Sequence, residues 1–235
     1  DNYIHDNTVS VKDLYLQISS MGNEKPDIVE GNDLPDFNPD DEYLQEIKSP
    51  IFYAVQKNIN IQTGQPTILD FDMQRISQRI NIVFNIRTEG NIKREDLAAP
   101  IIELSGACGR FNIADACLDT TRLYRMAHQV QPDEFTQTGE GTYRCVVHFH
   151  TLGVIPSAAK GHLNGPGILQ VALQVSTPQL DSSGAPVVDE EGNPVKNSRY
   201  IYGAINPYDE LTAAQLIEVR DVKIYLRYSK EDLNI

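Results

Sequence analysis

At 235 residues and 40% apolar content, the chain can bury a substantial core, as one large sandwich or two small domains. Its formal net charge of −13 argues against a nucleic-acid partner, because phosphate recognition needs Lys and Arg gathered in a stripe, and the sequence has none. No apolar run approaches the ~18 residues of a membrane-spanning helix, and no signal-type segment follows Asp1, which reads as a mature start or a trimmed one.

The acidity lies mainly at the front, where residues 1–50 hold twelve carboxylates against Lys12, Lys25 and Lys48. Residues 8–20 read as one strand, opening with Val9 and Val11 and placing Leu14, Leu16 and Ile18 on a common face. Pro, Gly, Asn and nine carboxylates between Glu24 and Glu46 follow, the composition of a linker or long surface loop. Asp36, Asp40, Asp41 and Glu42 lack the spacing of a calcium loop, so solvation is the favoured reading over Ca²⁺. The chain divides into an N-terminal strand and acidic linker, residues 1–48, and a sandwich domain, residues 49–235.

From Ser49 strands recur at short intervals. Ile51, Tyr53, Val55, Ile59 and Ile61 alternate through the first, Gly64-Gln65-Pro66 turns the chain, and Ile68 to Phe71 leads into a long central strand. There Ile76, Ile80, Ile82, Phe84 and Ile86 share one face, with Ser77, Arg79, Asn81 and Asn85 on the other. A second apolar run, Ile101, Ile102 and Leu104, stops at Ser-Gly-Ala-Cys-Gly, whose glycines allow a bend or bulge. Residues 121–130 are a strand or a helix. Residues 142–149 bury Tyr143, Cys145, Val147 and Phe149; residues 168–175, 199–205 and 221–228 complete about eight strands, the arithmetic of an all-β sandwich. Between the last strands, D-x-x-G-x-P-V occurs twice, eight residues apart, from Asp181 and from Asp189, and predicts a mobile projecting hairpin. One short helix is expected over residues 207–218, capped by Asn206 and started by Pro207.

Candidate chemistry is sparse. His148 and His150 point the same way from one strand, a legitimate metal pair, but no third ligand is nearby, so no metal or cofactor is expected. Motifs for nucleophilic, zinc-hydrolytic or phosphate-binding chemistry are missing, and Ser105 reads as a strand-end residue. Cys108, Cys117 and Cys145 are either three buried thiols or include one disulfide, Cys108 with Cys117. Tyr200, Tyr202 and Tyr225 could form an aromatic rim, although such tyrosines more often lie half buried at strand ends.

Three stretches carry a family resemblance: S-P-I-F-Y at residues 49–53, D-F-D-M-Q-R-I-S-Q-R-I-N-I-V-F-N-I at residues 70–86, and E-L-S-G-A-C-G-R-F-N-I at residues 103–113. They resemble the second domain of the Bacteroidales fimbrillin-like and fimbrial-anchor (major and minor fimbrium) lipoproteins. The resemblance implies a transthyretin-like or Ig-like sandwich, held at the cell surface or outer membrane by a lipid anchor or built into a fimbrium. It implies cell adhesion without enzymatic activity, with other fimbrial subunits or surface ligands as partners and β-strand exchange between subunits. The family's lipid-bearing Cys has no counterpart before Cys108. Residues 8–20 are the better exchange segment, while closure of this chain's own sheet is the commoner fate of such a strand. The alternative function is a glycan-binding surface lipoprotein of a polysaccharide-uptake system.

Overall fold

The computed structural model describes residues 3–5, 14–22, 42–56, 58–61, 63–88, 94–98, 100–131, 134–163, 165–213 and 222–228. Four short strands come first: β1 (Tyr3–His5), β2 (Tyr15–Ile18), β3 (Ser20–Gly22) and β4 (Tyr43–Leu44). A two-residue pair follows, β5 (Phe52–Tyr53) and β6 (Gln74–Arg75). The longer strands are β7 (Gln78–Arg87), β8 (Ile101–Asn112), β9 (Cys117–Gln129), β10 (Phe135–Gly139), β11 (Thr142–Thr151), β12 (Leu169–Pro178), β13 (Lys196–Ile205) and, after helix α1 (Tyr208–Ala213), β14 (Val222–Tyr228).

These strands build a mostly β sandwich. The smaller sheet runs β10-β11-β7-β14, with β14 parallel to β7. The larger runs β1-β2-β8-β9-β4-β3, with β12 on the first half of β8 and β13 beyond it. Strand alternation explains the packing. Pairing sets Ile80 against Phe149, Ile82 against Val147 and Ile86 against Tyr143, so one face of β7 and β11 is continuously apolar. That face meets Ile102, Leu104, Met126, Leu169 and Val175 of the larger sheet in a single buried cluster.

β8 is the spine. It is buried on both faces and pairs with β9 along its length, with β12 through residues 101–104 and with β2 through residues 110–112. The Ser-Gly-Ala-Cys-Gly stretch does not end the strand; it holds two register shifts within it. Gly106 sits at φ +82°, and a Cβ there would come within 2.6 Å of the Gly167 amide nitrogen and 2.8 Å of the Ile155 carbonyl. Only glycine fits this bulge.

The strand expected through Ile51, Tyr53, Val55, Ile59 and Ile61 is not formed beyond Phe52–Tyr53. Val55 and Ile59 stand in solvent, Ile61 is 76% exposed, and Ile68, expected to lead into the central strand, is 83% exposed. Gln56, Lys57 and Asn58 break the alternation, and Asn58 lies at φ 60°, outside the strand region. At residues 121–130 the strand reading holds, within β9. The helix begins at Tyr208 beside the expected start; residues 214–218 of the expected span lie outside the described residues.

Candidate functional site

Titratable groups gather where β9 and β11 approach each other at one side of the sandwich. The His128 ring nitrogen Nε2 lies 2.9 Å from Glu134 Oε2, which also accepts a 2.7 Å bond from the Gln131 amide. Burial opposes ionisation of Glu134, but these bonds outweigh it and hold the carboxyl below its ordinary value. Burial, with Arg79 and His150 adding positive charge, holds the His148 imidazole below its ordinary value. Burial raises Glu46 against the opposing pull of His150 and His128.

The two strand histidines are tied to different partners, His148 Nδ1 to Asn81 Oδ1 and His150 Nδ1 to the Ile47 carbonyl at 3.1 Å. Among the described residues no group of three or more His, Cys, Asp or Glu is arranged to hold a metal ion. A cleft of about 200 Å³ opens beside this cluster, walled by Met21, Leu44, Met126 and Phe149 with Glu46 and His128 as its polar groups. That is below the ~300–1,000 Å³ typical of ligand pockets.

The exchange candidate is partly visible. Val9 and Val11 lie outside the described residues. Leu14 and Leu16 are half-buried and Ile18 fully buried, and β2 pairs antiparallel with this chain's own β8. β3 and β4 extend the same sheet beyond β9, so chain on both sides of the acidic segment belongs to it. A charged clamp fastens β4. Tyr43 donates a 3.1 Å bond to Glu103 Oε2, and Arg125 pairs with Glu103 Oε1. Glu103 is 1% exposed. Arg122 pairs with Glu42, and Ser20 Oγ donates to the same carboxylate at 2.8 Å.

Tyr200 and Tyr202 lie on β13 of the larger sheet, Tyr202 exposed, whereas Tyr225 lies on β14 of the smaller. Ser105 is buried in a structural role: its hydroxyl donates to the Gly165 carbonyl at 2.9 Å and accepts from the Ile168 amide at 3.0 Å. All three cysteines are free, so the disulfide alternative is not formed and the free-thiol alternative holds, except that Cys117 is exposed while Cys108 and Cys145 are buried. The β8–β9 register explains this, because Cys117 lies opposite Asn112 and Cys108 opposite Leu123.

The repeated D-x-x-G-x-P-V units fold alike. Asp181 Oδ1 accepts from the Ser183 and Ala185 amides, and Asp189 Oδ1 from those of Glu191 and Asn193. Gly184 and Gly192 take matching φ of +83° and +86°. The Val187 amide donates to the Gln179 carbonyl, that of Val195 to Val187, and that of Gln179 to Val195, each at 2.8 Å. The connector is therefore a bonded, two-turn element projecting from the β12–β13 ladder.

Fold and site together define a mostly β sandwich protein whose polar groups tie strands to one another. No protein-family model matches the chain, and no curated protein matches it. Two solved structures match the chain. One is a "putative adhesin" from Bacteroides ovatus ATCC 8483, with TM-score 0.44 and 9% identity over 99% of this chain and 69% of that one. The other is a "putative adhesin" from Bacteroides ovatus, with TM-score 0.43 and 9% identity over 97% of this chain and 64% of that one.

Proposed function

We propose that the chain is a non-enzymatic, adhesin-like structural protein of the bacterial cell surface, a fimbrillin-like or fimbrial-anchor subunit that works by pairing strands with partner subunits. The observation that carries this reading is the placement of the family-like stretches. Residues 70–86 and 103–113 supply β7 and β8, the central strands of the two sheets. β1 lies at one end of the larger sheet and β14 at one end of the smaller. β2 lies between β1 and β8 and holds β8 by three residue pairs, and a short edge pair such as β1–β2 is one that a strand from another subunit can replace. The segment Val9, Val11, Leu14, Leu16 and Ile18 would be exchanged, vacating the Phe111 end of β8.

The test removes residues 1–22 and adds a peptide of residues 8–20. The truncated protein should keep its β-rich circular dichroism and bind the peptide saturably. A folded truncation that ignores the peptide would sink the exchange reading. Saturable binding of oligosaccharides by the intact chain, abolished by Tyr202→Ala, would move the function to the glycan-binding alternative.

A further inference from the structure

The fold leaves one large feature unused, the excursion of residues 54–73 between β5 and β6. Its base is a two-residue ladder pairing Phe52 with Arg75 and Tyr53 with Gln74. Eight large apolar side chains between residues 52 and 73 are exposed. At about 200 Å² for a fully exposed large side chain, they present on the order of 800 Å². The largest apolar patch on a typical monomer is ~300–600 Å², and one partner in a stable complex contributes ~800 Å². Both limbs alternate, Asn58-Ile59-Asn60-Ile61 going out and Asp70-Phe71-Asp72-Met73 returning. No described residue from 54 to 73 exchanges a backbone hydrogen bond with the sandwich. The limbs thus offer apolar side chains and free backbone together, the chemistry of an unpaired strand.

We propose that this excursion is where a second copy of the chain docks, arm against arm about a two-fold axis. Charge selects a second copy. Residues 52–73 carry only Lys57, Asp70 and Asp72, one net charge of the chain's −13. Two such anions repel through most of their surfaces, and contact through a stretch of one net charge adds little to that repulsion while burying the apolar area. A two-fold contact doubles one arm's area to roughly 1,600 Å², the standard size of a specific interface. An anionic lipid surface would be repelled by the same net charge. The association would hold whether or not the chain serves in adhesion.

Sedimentation velocity of the intact protein from 1 to 200 μM tests this, comparing wild type with Ile61→Lys/Ile68→Lys. Both positions are exposed, so circular dichroism should show an unchanged fold. Wild type should form a dimer within this range, and the double variant should dissociate at least tenfold more readily. A wild type that stays monomeric at 200 μM would overturn the proposal, as would a variant that dimerises equally well. Co-flotation of the wild type with phosphatidylcholine vesicles, lost in the variant, would assign the arm to lipid instead.

Discussion

Cys108 and Cys145 are fully buried, and burial pushes both thiols up to about 12 from a usual 9.0. In the native state a thiol reagent should therefore label one cysteine, Cys117, and all three after unfolding; mass spectrometry of the labelled protein checks the count. The same shift fixes a pH dependence. An unfolded chain ionises these thiols near 9 while the folded chain keeps them protonated, so their contribution is intact below about pH 9 and is lost as pH climbs toward 12. Each should remove about 1.4 kcal/mol of stability per pH unit across that window. Denaturant midpoints measured from pH 8 to 11 should fall less steeply for Cys145→Ala than for wild type. Gly106 makes a separate demand. Gly106→Ala must hold a left-handed backbone and displace the Gly167 and Ile155 backbones, so urea melts should show a loss of about 2–3 kcal/mol. The glycine pair signalled a bulge in the sequence, but that the strand runs on through it did not, because the backbone contact comes from residues 155–167.

Among elements, the long strands were legible and the short ones were not. β7, β11, β12 and β14 follow alternations that the sequence shows directly. β3 and β4 are three and two residues long, too short for any period to register, and they exist through tertiary bonds such as that from the Arg125 amide to the Glu42 carbonyl, 2.9 Å. The clamp at Glu103 has a visible signal in the sequence, a lone carboxylate inside Ile101-Ile102-Glu103-Leu104, but its partners Tyr43 and Arg125 lie too far along the chain for spacing to name them. Arg125→Met strands Glu103 in a buried site and should cost about 3–5 kcal/mol, whereas Glu103→Leu with Arg125→Met and Tyr43→Phe removes the uncompensated charge and should recover most of that loss. Equal destabilisation of the single and triple variants in guanidinium melts would show that packing, not charge, fastens β4. The arm departs most from expectation: Ile51 to Ile61 has strand-like residues but a three-residue gap after Val55, and composition alone does not reveal that no described part of the sandwich receives Ile61 or Ile68.

For the whole molecule, the net charge of −13 opposes every association that apolar contact favours. Screening shortens from roughly 30 Å at 10 mM salt to ~8 Å at 150 mM. Dimer formation by the wild type should therefore tighten severalfold over that range, and a dimer that weakens with salt would point to attraction between opposite charges instead. The core, in contrast, should be indifferent to salt, since it joins the two sheets through apolar side chains. One part of the molecule is also free to change size. The amides of Gln179, Val187 and Val195 close a ring of three bonds, spaced one eight-residue unit apart. With a single unit the ring would reduce to two residues exchanging both bonds, which is simply the next rung of the β12–β13 ladder. Length here is counted in whole units: a gene that gains or loses one copy of the motif alters how far this knob reaches while leaving the sandwich beneath it in register.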